Sequence, residues 1–208
     1  TTMFGSVDNP DDYTSALEKH NVTYRLHIDG AYGGFVYPFS NQKSNINFSN
    51  PKISSITIDA HKMLQAPYGT GVFVCRKGLI ENVLTKEAEY VEGMDLTLCG
   101  SRSGANAVAV WMILFTYGAY GWFEKVSILQ MRTQFLCNEL DHLNIKYFRE
   151  PFMNIVTIHS ESIPEKIAEK YDLVPQQHNE NNKWYKIVLM DHVEVEHLTK
   201  FIDELKAS

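Results

Sequence analysis

The stretch Ser55-Ile56-Thr57-Ile58-Asp59-Ala60-His61-Lys62 is read together with His27-Ile28-Asp29-Gly30-Ala31-Tyr32-Gly33-Gly34. The spacing predicts short strands over 24–28 and 54–58, and each runs directly into a carboxylate, Asp29 or Asp59. In open α/β sheets, ligands collect at the carboxyl ends of strands. Both strand ends are therefore candidate site positions, and the second adds a histidine and a lysine at once.

A lysine placed there can serve as an amine nucleophile if it is desolvated or set near another cation. Amine nucleophiles form Schiff bases with carbonyl compounds, and pyridoxal phosphate is the common biological partner. That cofactor also needs a carboxylate at its pyridine nitrogen, a role that suits Asp29. Gly30 and Ala31 are small enough for a flat ring to approach the backbone. Gly33 and Gly34 permit close packing or a positive φ. A metal site built from His27, Asp29, Asp59 and His61 fits the residue types but explains neither Lys62 nor the glycines. His27, on a strand, reads as a packed core histidine.

Working outward, 71–75 (GVFVC) reads as a third strand, 11–20 as a helix with acids in its first turn, and 77–84 as helical. Residues 41–52 are Asn/Ser-rich and closed by Pro51, which marks a loop, and 86–103 reads as another. Helices are expected over 105–116 and 122–143, the second with an apolar stripe of Val126, Leu129, Phe135, Leu136 and Leu140. Strands at 154–158 and 184–190 alternate with helices at 164–171 and 193–206, a small α/β unit. The expected division is a large domain over 1–125 and a small one over 126–208. Trp111, Phe115, Tyr117, Tyr120 and Trp122 read as core or dimer packing, and the histidines of the tail take no catalytic role.

Composition sets the outer bounds. The chain has 208 residues, 44% hydrophobic and 21% charged, enough to bury a core and too apolar for disorder. A net charge of −6 with no basic block argues against nucleic acid or a membrane surface as partner. Cys75, Cys99 and Cys137 lack framework spacing and read as reduced thiols. Residues 1–20 lack the basic start and apolar run of a signal peptide, so a cytoplasmic protein is expected.

Five segments in order resemble the group II pyridoxal-phosphate decarboxylases of aminotransferase fold type I. They are T-T-M-F-G-S-V-D at 1–8, H-I-D-G-A-Y-G-G at 27–34, D-A-H-K at 59–62, A-P-Y-G-T-G-V-F-V-C-R-K at 66–77 and L-T-L-C-G-S-R-S-G-A at 96–105. Within the family the likeness is to the archaeal-type tyrosine/aspartate decarboxylases. The resemblance implies an α/β fold, the carboxyl-terminal part of a fold type I enzyme: an incomplete, mainly parallel large-domain sheet plus a small α/β domain. It implies pyridoxal 5'-phosphate as cofactor and an L-amino acid as substrate, which would lose its α-carboxylate.

By the same resemblance, Lys62 would carry the cofactor as a Schiff base and Asp29 would pair with the pyridine nitrogen. Ala31 would pack on the ring, His61 would touch phosphate or substrate, and Asp59 would support the phosphate site. Thr2 or Thr1 would reach the ring hydroxyl, and Tyr90 would reprotonate the carbanion. Gly100, Ser101 and Arg102 would complete the neighbouring subunit's site in a homodimer. The family's phosphate-binding Gly/Ser segment and ring-stacking histidine lie upstream of the threonine at which this chain begins. The expectation is therefore a fragment, completed by an amino-terminal portion of the same enzyme. A carbon–carbon lyase like sphingosine-phosphate lyase is the alternative chemistry, and an idle dimerisation fragment the alternative without chemistry.

Overall fold

The computed structural model describes residues 1–83, 96, 102–176 and 183–208, in two compact units. The first comprises Asn9–Pro38 and Lys43–Gly118; the second comprises Thr1–Asp8, Phe39–Gln42 and Ala119–Ser208.

In the first unit, helix α1 (Pro10–Lys19) starts as its sequence dictates. The Asn9 side chain accepts from the Asp11 N–H at 3.2 Å, Pro10 occupies the first helical position, and Asp11 and Asp12 face the positive end of the dipole. Strands β1 (Leu26–Asp29) and β2 (Ile53–Asp59) pair in parallel, and β3 (Gly71–Cys75) pairs antiparallel with β2. The sheet is thus half parallel. The segment 60–70 holds no crossover helix to carry the chain back, so β3 must reverse direction.

Register sorts the side chains. His27 pairs with Ser55 and Asp29 with Thr57, while Thr57 pairs with Phe73 and Asp59 with Gly71. Paired residues share a face, so His27, Asp29, Ser55, Thr57, Asp59 and Phe73 lie on one side and Ile28, Ile56 and Ile58 on the other. Val36, Ile53, Ala60, Met63 and Leu64 are buried. Where 77–84 reads as helical, the structure has only a 3-10 turn at Ile80–Val83, because Gly78 at φ 85° breaks the run before it.

The one-turn helix α2 (Tyr37–Ser40) precedes the Asn/Ser-rich loop. Helix α3 (Gly104–His142) joins the two expected helices across Gly118, whose φ of 57° and ψ of −174° suit glycine alone. The boundary between the units falls at this residue.

The second unit carries an antiparallel sheet in the order β4 (Tyr147–Phe148), β5 (Ile155–His159), β7 (Trp184–Val188), β6 (Val174–Pro175). Helices α4 (Glu165–Lys170) and α5 (Val195–Lys206) complete it. Leu136 and Leu140 of α3 meet Val156, Ile158, Ile187, Leu198, Phe201 and Ile202 in one core. The 1–8 segment packs here too. Phe4 sits edge-on to Phe148 (5.7 Å) and Trp184 (5.6 Å), and the Thr2 carbonyl accepts from Lys186 Nζ at 3.2 Å. Of the five aromatics expected in core or dimer packing, Trp122 is in the core; Trp111 (60% exposed), Phe115 (76%), Tyr117 and Tyr120 are not. Cys137 is a buried thiol, raised in pKa chiefly by that burial; Cys75 is partly exposed, and Cys99 lies outside the described residues.

Leu140 is wholly buried at the centre of this core. Leu140→Ala is expected to cost about 2–5 kcal/mol, read as a lower urea midpoint.

Two carboxylates set an acid limit. Glu18 accepts from the Tyr24 hydroxyl (2.6 Å) and from Lys52 (3.0 Å), and Glu204 accepts from Lys170 (2.6 Å) and Tyr171 (2.9 Å). These hydrogen bonds, Tyr24's first for Glu18 and Lys170's first for Glu204, hold both carboxyls below the ordinary 4.5. A lowered folded pKa means that the unfolded chain takes up protons first. The stability they contribute is complete above 4.5 and is lost as pH falls through the folded values. The urea midpoint is expected to drop on acidification below 4.5, and to drop less in the Glu18→Gln/Glu204→Gln double variant.

Candidate active site

The ladder between β1 and β2 continues past the strands and ties their carboxyl ends together. Gly30 N–H donates to the Thr57 carbonyl at 2.9 Å, and Asp59 N–H donates to the Ala31 carbonyl at 3.0 Å. Asp29, Ala31 and Asp59 are therefore neighbours at one end of the sheet. Asp29 folds its carboxylate over the following turn, where Oδ1 accepts from the Ala31 N–H at 3.0 Å. Its Oδ2 has no hydrogen-bond donor among the described residues.

The glycines after Asp29 serve this turn. A Cβ on Gly30 would lie 3.1 Å from the Thr57 carbonyl oxygen and 3.2 Å from Gly34 Cα. The room beside Gly30 is therefore filled by the chain's own backbone. Gly34 is needed for close packing and not for a positive φ, since a Cβ there would come within 2.9 Å of Ile58 Cγ1.

Lys62 stands in the turn after β2. Its N–H bonds the Asp59 carbonyl at 3.1 Å, and its Nζ forms an ion pair with Asp59 Oδ2 at 2.7 Å. The lysine side chain is 40% exposed and that of Asp59 24%. The expected desolvated lysine is thus an accessible one, held by a carboxylate three residues earlier. Such a pair is worth up to about 1 kcal/mol, so the amine can be released.

His61 is fixed by a 2.9 Å contact from Nδ1 to the Thr70 carbonyl, with the Tyr68 ring edge-on at 5.3 Å. A carbonyl only accepts, which places a proton on Nδ1 and leaves Nε2 as the acceptor of the neutral ring.

His27 is exposed, which corrects its reading as a core histidine. Its Nδ1 contacts Ser55 Oγ at 2.8 Å and its Nε2 contacts Thr57 Oγ1 at 3.3 Å, with Phe73 stacked at 6.1 Å. The signal was present in the sequence: residues two apart on a strand share a face, so His27 must face the same way as Asp29. Among the described residues, no three His, Cys, Asp or Glu side chains converge to hold a metal ion. Thr1 and Thr2 belong to the second unit, and Arg102 is exposed. Tyr90, Gly100 and Ser101 lie outside the described residues.

A primary amine and a carboxylate with a spare oxygen, on adjacent strand ends, are the two groups that hold a pyridoxal ring by its aldehyde and its nitrogen. The residues present fit that cofactor.

Comparison with known proteins agrees. Residues 1–148 match the pyridoxal-dependent decarboxylase conserved domain. The chain is 57% identical over 206 residues to a tryptophan decarboxylase of Clostridium sporogenes, covering 99% of this chain and 49% of that protein. It is 31% identical over 220 residues to a probable L-tyrosine/L-aspartate decarboxylase of Methanocella arvoryzae, covering 99% and 55%. The chain thus spans about half the length of the curated relatives it matches. The solved structure of a Lactobacillus brevis glutamate decarboxylase superposes with a TM-score of 0.81 at 18% identity, covering 99% of this chain and 52% of that one. That likeness shows the fold, an α/β arrangement of fold type I.

Proposed function

Since the chain belongs to the pyridoxal-dependent decarboxylase family, we propose that it holds pyridoxal 5'-phosphate between Lys62 and Asp29 and removes the α-carboxylate of an L-amino acid. The observation that supports this is the joining of the β1 and β2 ends by two backbone hydrogen bonds, which brings Asp29 to the same end of the sheet as Asp59, the ion-pair partner of the Lys62 amine. The 57% identity favours L-tryptophan as first candidate over the tyrosine or aspartate implied by the sequence resemblance.

When bound, the cofactor supplies an electron sink for the breaking carbon–carboxylate bond. Asp29, through its spare Oδ2, holds a proton at the pyridine nitrogen. Asp59 Oδ2, at 2.7 Å, holds and orients the Lys62 Nζ that would be released to the cofactor. Ala31 presents its methyl to the ring, its position fixed because its backbone N–H and carbonyl are both engaged. His61 is assigned to the substrate, whose donors the neutral Nε2 accepts, or to the phosphate, which Nε2 bonds only when it carries a proton. Tyr90 is assigned to protonation of the product carbon, and Gly100 and Ser101 to the site of the second subunit in a homodimer.

The test is to incubate the protein with pyridoxal phosphate, reduce with borohydride, and map the modified peptide. Carbon dioxide and amine formation from L-tryptophan, L-tyrosine and L-aspartate are then followed. The adduct is expected on Lys62, with tryptamine the fastest-forming amine. No adduct, or one confined to other lysines, would overturn the assignment.

A further inference from the structure

A cavity lies in the first unit, at the end of the strands opposite Asp29 and Asp59. It has a volume of about 370 Å³ and is lined by Tyr24, Arg25, Lys52, Ser54, Arg76 and Lys77, with Pro51 and Leu79 as apolar wall. Its place follows from sequence. Arg25 immediately precedes β1, Lys52 precedes β2, and Arg76 and Lys77 follow β3, which runs the other way. The amino ends of two strands and the carboxyl end of the third thus bring four cationic side chains to one opening, in a chain whose net charge is −6.

These cations are unevenly compensated. Lys52 is paired with Glu18 at 3.0 Å and also reaches Thr14 Oγ1 at 3.2 Å. Arg76 is held rigidly by carbonyls: Nε donates to Ile53 (2.6 Å), and Nη2 donates to Asn50 (2.6 Å) and Phe48 (3.1 Å), with the Phe48 ring beneath at 5.5 Å. That leaves Nη1 in a fixed position with its donors unspent. Arg25 and Lys77 are exposed and make no ion pair among the described residues. Three cations around one cavity without a carboxylate repel one another, and the arrangement is relieved by an anion. Guanidinium and ammonium donors, with the Ser54 hydroxyl, match the oxygens of a phosphate group.

We propose that this cavity is a binding site for a phosphate group, free or on a small phosphate ester, separate from the Asp29 and Lys62 end of the sheet. The seven residues of β2 put roughly 20 Å between the two ends, and occupancy at one end requires nothing of the other.

The probes are inorganic phosphate and pyrophosphate, titrated by calorimetry and thermal shift at ionic strength held constant with sodium chloride. Pyridoxal phosphate is omitted, so the outcome does not depend on Lys62. Saturable binding is expected, tighter for pyrophosphate. Arg25→Gln/Lys77→Gln, on exposed side chains, should weaken it about tenfold or more, the loss of two charge-assisted contacts. Glu18→Gln should tighten it by freeing Lys52, and Lys166→Gln, an exposed lysine of the second unit, should change nothing. Pyrophosphate should also slow acetylation of Lys77. Non-saturable binding, full affinity in the double variant, or an equal loss from Lys166→Gln would overturn the proposal. Tight phosphate with no gain for pyrophosphate would support the site and assign it to a single phosphate group.

Discussion

Lys62→Ala is expected to abolish borohydride-trapped pyridoxal phosphate and to lower decarboxylation by more than about 10⁴-fold, the scale seen when a covalent nucleophile is removed. The loss should be chemical and not structural. Lys62 is 40% exposed, and its ion pair with Asp59 is worth up to about 1 kcal/mol. The urea midpoint should therefore move little. Lys62→Arg sharpens the point, because it keeps the positive charge beside Asp59 but offers no nucleophilic amine. It is expected to preserve stability and still show no trapped adduct. Retention of the adduct in either variant would remove Lys62 from its role.

The reason this lysine could be picked out beforehand is local. Two apolar strands each end on a carboxylate, and strand ends are where α/β sheets gather ligands, so Asp29 and Asp59 were legible as site positions. Lys62 follows Asp59 by three residues, which sets the two side chains within reach in the turn. What could not be read was how exposed that turn is, since burial depends on neighbours distant in sequence. The same limit applies to α3. Its helical character was plain from Ala105 onward, but Trp111 and Phe115 are exposed while Trp122 is buried, and periodicity alone does not distinguish them. Strands β4 and β6, two residues each, are too short to show any alternation. The antiparallel return of β3 was legible in principle, because the segment 60–70 contains Pro67 and Gly69 and no helix-length run.

Asp29→Asn is the second substitution with a large expected effect, and the turn around it makes the experiment clean. The amide oxygen of asparagine can accept from the Ala31 N–H as Asp29 Oδ1 does at 3.0 Å, so the turn and its link to Asp59 should persist. What disappears is the negative charge at the spare oxygen, and with it the means of holding a proton on the pyridine nitrogen. Removing one preorganised charge partner from a reacting centre commonly costs about 10²–10³-fold in kcat. That loss is expected here, together with weaker cofactor retention on dialysis, while trapping on Lys62 continues at saturating pyridoxal phosphate. Asp29→Ala removes the turn's acceptor as well and should add about 1 kcal/mol of lost stability to the same catalytic defect. A purely structural Asp29 would give the opposite ordering: Asp29→Asn close to wild type in rate and cofactor retention, and Asp29→Ala impaired only as far as its unfolding midpoint falls. The two variants, measured side by side for rate, cofactor retention and urea midpoint, therefore separate a charge that works on the cofactor from a carboxylate that only closes a turn.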